Sequence, residues 1–344
     1  MEYLKRVFEG CDYTPQNIEN IYKEQKKSVE KRDAYVDKEL QIFVQEFFKT
    51  IVPKSEFDIR PKDAEKYEFW INKFEDIIEN ETGLKGKVKR VEVVDRRDLG
   101  KILTETKLSK ELLAEISASP DSQTNFFALL KDMFTLFKDI LFFREVSKRV
   151  LGMYDLIATE AKIDYDAIYI FEQNIKERAK RCGIESFSLG KIVTIHEDIH
   201  SKQFNTFPHL EKIREELTKC LYYLDQIKYE LPKKEYQRLK VRVRDALEAL
   251  LSVCEGHAEY YTEKIGKKVI YGFEEIEKRL RGNRRNTNPL VKRKIEKLIE
   301  RYKAGKAFIE KVIPSLGNEI FEQEMLPVSM EEIKSPSLYI KRYV

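Results

Sequence analysis

Two histidines four residues apart, His196 and His200, bracket Glu197 in a His-Glu-Asp-Ile-His run. Glu255-Gly256-His257-Ala258-Glu259 follows, its first residue 55 positions after His200. The chain has only four histidines, and the other two, His209 and His257, fall in the same window. This pattern constrains the fold, because it has chemical meaning only if the first run is helical and the second is folded back against it. On a helix, residues four apart share a face, roughly 5–6 Å apart at Cβ. His196 and His200 can therefore turn one ring nitrogen each to a single Zn²⁺ at about 2.0–2.1 Å. Glu197 sits about 100° further round the helix, which sets its carboxylate beside the ion as a base. A catalytic zinc needs a third protein ligand and an open position. Glu255 is the natural third ligand. Glu259, one turn on, faces the same way and can hold a ligand histidine by its free N–H. His257 projects from nearly the opposite side of that helix, so it and His209 read as hydrogen-bonded structural histidines.

Composition sets the frame around this site. With 13 glycines and 10 prolines in 344 residues and 36% charged side chains, the chain reads as mainly α-helical and compact. A net charge of +4 gives no global argument for nucleic acid. Cys11, Cys182, Cys220 and Cys254 are far apart with no Cys-x-x-Cys pair, which predicts reduced, mostly buried thiols in a cytoplasmic protein. Met1 to Gly10 carries four charges and does not read as a secretory leader. The most apolar run, Phe126 to Phe143, is broken by Lys131, Asp132, Lys138 and Asp139 and reads as a core helix rather than a membrane span.

Taken in order, Thr14-Pro15 opens a helix predicted to run on to Thr50. A second runs from about Pro61 to Asn80, with Tyr67, Trp70, Ile71, Phe74 and Ile78 on one face. Val88 to Val94 suggests a short strand, and Ser109 to Ser117 and Ser122 to Gly152 suggest helices. Tyr165 to Phe171 is the clearest strand, β-branched and aromatic, and it offers an edge on which an extended peptide could lie. Phe187 to Phe204 is the expected metal-binding helix, with Ile192, Ile195 and Ile199 on its buried side. Helices over His209 to Tyr229 and Lys233 to Gly266, a basic loop from Arg279 to Arg285 and a last long helix from Pro289 to Ile313 complete the body. The tail from Pro314 is expected to pack back on it. The organisation predicted is an N-terminal helical region over 1–90, covering the cleft or mediating assembly, and a catalytic domain over 91–344.

The site resembles that of the glutamate-third-ligand zincins, metallopeptidases in which H-E-x-x-H is followed by E-x-x-x-D on a later helix; here Glu259 stands in place of the Asp. The chain is most similar to a branch of zincin-like, zinc-dependent hydrolases associated with deazaflavin-coenzyme biosynthesis, a branch with no settled substrate. The residues that carry this are Val93 to Arg96, Gly152 to Asp155, Asn174-Ile175, His196 to Phe204 with Pro208, and Leu251 to Glu259. Further on come Arg284-Arg285, Tyr302 to Phe308, Leu326-Pro327, Glu332-Ile333 and Pro336. His209 departs from it, standing where that branch has Trp. The resemblance implies a mainly α zincin-like fold with a small strand element before the H-E-x-x-H helix. It also implies a Zn²⁺ cofactor and hydrolysis of a peptide or amide carbonyl, with Glu197 as general base. An oxyanion donor is then needed, and Tyr260, Tyr261 and Tyr302 are candidates.

Two rival readings use other features. Nine Lys or Arg lie between Lys278 and Lys297 and could contact phosphates in a binding module, although Glu296 and Glu300 interleave them as on a solvated helix face. A zincin fold serving only as an interaction protein is the other, and the intact Glu197 argues against it. The partner expected is a peptide or protein substrate, with no membrane and no nucleic acid.

Overall fold

The computed structural model describes residues 2–27, 62–88, 90–95, 151–158, 164–282 and 289–343. It is mainly helical, as the scarcity of turn-formers predicts. The N-terminal helices are α1 (Glu2–Val7), α2 (Pro15–Lys27) and α3 (Lys62–Thr82). Three short strands follow, β1 (Arg90–Val93), β2 (Gly152–Ala158) and β3 (Asp164–Ile170). The site-bearing body is built of α4 (Glu172–Cys182), α5 (Ser186–Thr206), α6 (His209–Gln226) and the long α7 (Lys233–Val269). After it come α8 (Phe273–Gly282), α9 (Pro289–Leu316), a 3-10 turn (Gly317–Phe321), α10 (Met330–Lys334) and α11 (Pro336–Tyr343).

The 37-residue α7 is the spine. Its first half buries Leu239, Val243, Ala246 and Leu250 in one apolar cluster with Tyr3, Ile18, Leu217, Phe308 and Phe321, drawn from α1, α2, α6, α9 and the 3-10 turn. Its second half buries Ala258, Tyr261 and Ile265 in another cluster with Trp70, Phe74, Ile168, Ile195 and Ile199, from α3, β3 and α5. The change of partner falls between Cys254 of the first cluster and Ala258 of the second, and Glu255 lies in that interval. The tail packs back as expected. The Tyr3 hydroxyl donates to the carbonyls of Ala246 and Pro327, stitching α1 to α7 and the tail.

The sheet has the order β1-β3-β2, with β1 parallel and β2 antiparallel to β3. Strand β3 therefore has a neighbour on each side, and its last four residues are buried. The peptide-accepting edge expected on this strand is already taken. Among the described residues β1 and β2 are the strands with a partner on one side only. The chain leaves β3 through Phe171 into α4, whose N-terminal Glu172 is buried against Lys66 at 2.7 Å and Lys176 at 3.2 Å. Gly183, left-handed at φ 64°, closes α4, and the chain reverses into α5.

Several sequence expectations change. The helix expected to end at Gly152 gives way there to β2, since Gly152 pairs with Ile170 of β3. Residues 122–150, the Phe126 to Phe143 run, the Ser109 to Ser117 helix and the stretch from 28 to 50 lie outside the described residues. Arg279 and Arg281 end α8 rather than opening a loop. Helix α9 runs through Pro314 to Leu316, because α9 and the turn after it bury Val312, Leu316 and Ile320, and that packing outweighs the lost backbone hydrogen bond. No described helix is long and apolar enough to cross a membrane.

Candidate metal centre

Helix α5 is unusual in its burial. From Val193 to Gln203 every residue but the half-buried His196 is buried, including Thr194, Glu197, Asp198, His200, Ser201, Lys202 and Gln203. A helix enclosed on nearly all sides carries polar groups inward only where partners meet them. Lys202 shows this: its ammonium donates to Glu79 Oε1 at 3.0 Å and to the Gly86 carbonyl at 2.6 Å. Close approach to α3 rests on Gly190, where a Cβ would come 2.9 Å from the Trp70 ring.

Where α5 meets the middle of α7, three side chains converge. His196 Nε2 lies 3.4 Å and His200 Nε2 3.5 Å from the same oxygen, Glu255 Oε2. The three potential ligand atoms lie within 4.8 Å of one another. Two donors each about 2.05 Å from a tetrahedral ion are about 3.3 Å apart, so the two contacts to Glu255 already have the spacing of a shared ion. Two imidazoles and a carboxylate are also a donor set of catalytic zinc sites, with a position left open. His196 keeps 23% and Glu255 26% of the side chain exposed against 9% for His200, so the cluster opens to solvent on one side. These residues fit a metal ion.

The electrostatics are those of a preformed ligand set. Burial works against the charge of Glu255, but His200 and His196 outweigh it and hold the carboxyl well below the ordinary carboxylate range. Burial likewise disfavours a charged His196, yet the Glu255 contact and the charges of Glu197, Glu255 and Glu259 push the imidazole up to about 9. A metal held there would compete with that proton for His196.

The other residues singled out from the sequence fall in different places. Glu197 is buried beside β2: a Cβ on Gly152 would stand 2.7 Å from its Cγ and Oε1. Glu259 feels the charge of His196 and of Lys306, and burial raises its carboxyl above the ordinary range. Thr262 Oγ1, which the sequence did not single out, lies 3.5 Å from the second nitrogen of His196, Nδ1. Of the three tyrosines, Tyr302 stands among the site carboxylates: burial, then Glu255, Glu197 and Glu259, raise its phenol. Tyr261 packs at 4.7 Å on the His257 ring, and its electrostatic neighbours are Lys264, Tyr260 and Glu81. Tyr260 lies edge-on to Tyr261 at 4.9 Å.

His257 and His209 stand outside the cluster. The His209 Nε2 is 2.6 Å from the Phe321 carbonyl. His257 is fully buried, and burial lowers its pKa to about 3, which keeps it neutral. Sequence reasoning passed over its neighbour Gln203, which reaches His200, His257 and the Cys254 carbonyl together. The available signal was position: residue 203 is one turn beyond His200 on the same face. In the basic stretch, Arg279 pairs with Glu275 at 2.8 Å and Arg281 with Glu277, while 283–288 lie outside the described residues.

A sequence profile of zincin-like metallopeptidases matches residues 49–340 of this chain. Among solved structures, the chain is similar to a protein from Chloroflexus aurantiacus provisionally assigned as a hydrolase with a novel fold. The two share 21% identity over 90% of this chain and 98% of the other, at a TM-score of 0.59. At that identity the likeness shows a shared fold. No functionally curated protein matches.

Proposed function

The chain belongs to the zincin-like metallopeptidase family, and from that premise we propose that it is a zinc-dependent hydrolase of peptide or amide bonds. The observation that carries the reading is the approach of His196 Nε2 and His200 Nε2 to one oxygen of Glu255, at 3.4 and 3.5 Å. When bound there, zinc acidifies a water molecule and polarises a substrate carbonyl. Glu197 accepts the proton of the attacking water and returns it to the leaving amine, so a peptide bond and water become a carboxylate and an amine. Its burial beside Gly152 supports this, because a base held in one rotamer needs no reorganisation as the proton moves. Tyr302 donates a hydrogen bond to the developing oxyanion, and its high phenol pKa keeps that proton in place near neutral pH. Glu259 tunes His196 from the next turn of α7. An extended substrate lies along β2, one of the two edge strands among the described residues and the one whose Gly152 lies against Glu197. Four free cysteines, three of them buried, support a reducing, cytoplasmic setting.

Metal analysis after chelator-free purification with added zinc tests this. About one zinc per chain is expected in the wild type, with loss in His196→Ala and weakening in Glu255→Ala. Glu197→Gln should keep the metal and lose hydrolysis of a fluorogenic peptide mixture. A wild type without zinc, or a Glu197→Gln variant as active as wild type, would overturn the reading.

A further inference from the structure

Behind His200 runs a buried line of neutral polar groups. The second ring nitrogen of His200, Nδ1, is 2.9 Å from Gln203 Oε1. The amide nitrogen of Gln203 is 3.0 Å from the Cys254 carbonyl and 2.9 Å from His257 Nδ1. His257 Nε2 is 3.4 Å from Asn318 Oδ1 in the 3-10 turn. Asn318 Nδ2 donates to the Thr82 carbonyl at the end of α3, at 2.7 Å. Gln203 and His257 are each 0% exposed, and Asn318 is half-buried.

The line has a single consistent assignment of protons. A backbone carbonyl only accepts, so the Cys254 carbonyl fixes which end of the Gln203 amide is nitrogen. The amide oxygen then faces His200, whose Nδ1 has to carry the proton. The remaining N–H of the amide faces His257 Nδ1, which has to accept. The His257 proton therefore sits on Nε2 and is donated to Asn318 Oδ1. The Thr82 carbonyl fixes the Asn318 amide in the same way at the far end. With a proton on Nδ1, His200 has Nε2 left for the side where Glu255 stands.

We propose that Gln203 is the positioning residue of the metal centre, holding His200 in its ligating orientation and tautomer, with His257 and Asn318 setting the Gln203 amide from behind. The inference rests on the zinc-hydrolase reading for its functional meaning, while its proton assignments hold with or without an ion. Four elements are tied by it: the site helix α5 through Gln203, the glutamate-bearing α7 through Cys254 and His257, the 3-10 turn through Asn318, and the end of α3 through Thr82. It also assigns His257, invisible as a ligand, a role in the site. A neutral amide orients the ring without adding charge behind it, unlike a carboxylate in the same place.

The test is nitrogen NMR of ¹⁵N-histidine protein, wild type and Gln203→Met, with zinc affinity measured by chelator competition. In wild type, metal-free and zinc-loaded, we expect a proton on His200 Nδ1 and, on His257, a proton on Nε2 alone. Gln203→Met should bind zinc about 10- to 100-fold more weakly and lose the single His200 signature, and Gln203→Glu, which keeps the acceptor oxygen, should recover part of the affinity. A His257 proton on Nδ1, an unprotonated His200 Nδ1, or folded Gln203→Met with wild-type zinc affinity would overturn the proposal. If wild type binds no zinc, the function reading falls alone, and the proton positions still decide the relay. If Gln203→Met does not fold, the wild-type spectra decide it.

Discussion

Gly152, the first residue of β2, lies directly against the side chain of Glu197 on α5: a Cβ at position 152 would stand 2.7 Å from both Cγ and Oε1 of the glutamate. Val193 Cγ1 would be equally close to that Cβ, so a methyl at 152 fits only if Glu197 or Val193 shifts. Gly152→Ala should therefore rotate Glu197 away from its working position while leaving His196, His200 and Glu255 in place. The expected outcome is a fall in kcat of about 100-fold, the scale of a misplaced catalytic group, with zinc stoichiometry unchanged. Parallel kinetics and metal analysis check it, and an unaltered kcat would count against Glu197 as the base.

A contact between small residues brings α7 and α9 together next to Glu255. A Cβ on Gly305 of α9 would overlap the Ser252 carbonyl of α7, and one on Gly256 would overlap the Gly305 backbone. Two helices this close cannot separate locally without moving Glu255 and Tyr302, which flank the contact. Gly305→Ala should destabilise the fold by about 1–3 kcal/mol through overpacking and weaken zinc binding as well. Urea unfolding and chelator competition on the same variant separate the two effects. A stable variant with reduced affinity would still fit, whereas wild-type values for both would not.

Removing the metal should lower thermal stability, because an ion held by His196, His200 and Glu255 would bind the folded site and the unfolded chain offers no comparable cluster. At zinc about 100 times its dissociation constant the stabilisation is roughly 2.7 kcal/mol. Thermal scans with zinc and with chelator should differ by several degrees in the wild type and coincide in His196→Ala. A wild-type Tm indifferent to both additions would argue that the cluster does not hold the ion.

Away from the metal, Glu263 of α7 accepts from Lys267 at 2.7 Å and from Lys306 of α9. Burial opposes its charge, but the two lysines outweigh that and hold the carboxyl at about 2, against an ordinary 4.5. A carboxylate depressed on folding gives stability that is complete above the unfolded pKa and lost as pH falls through the folded one. The window here runs from about pH 4.5 down to about 2. Since 24% of the side chain remains in solvent, the contribution is roughly 1 kcal/mol after screening. Lys306→Met should lose that amount near neutral pH and differ less from wild type as the solution is acidified, read from urea midpoints. A gap that stays constant with pH would show that the lost lysine acts through packing alone.

Much of the site was legible from residue types and spacing. Helical periodicity places His196 and His200 on one face and leaves Glu197 beside them, and no tertiary information is needed for that. Gln203 stayed hidden because a glutamine on a helix is ordinarily a solvated residue, and only full enclosure of α5 makes it a partner. Strand β2 was missed for a related reason. Gly152-Met-Tyr-Asp lacks strong alternation, and its strand character comes from pairing with β3 rather than from its own propensities.

What the sequence determined by itself was local: the helical character of the chain, the faces of α5 and α7 that carry His196, His200 and Glu255, and the donor types that suit a metal. These follow from rotations of 100° per residue and from side-chain chemistry, both properties of the chain at short range. Tertiary structure decided which distant groups share a space. It put Tyr302 rather than Tyr261 among the site carboxylates, gave β3 neighbours on both sides so that β1 and β2 take the outer positions, and brought Asn318 and Thr82 behind His200. Such choices depend on how closely helices and strands approach, and that is set by contacts such as Gly305 on Ser252, whose meaning appears only once both partners are in place.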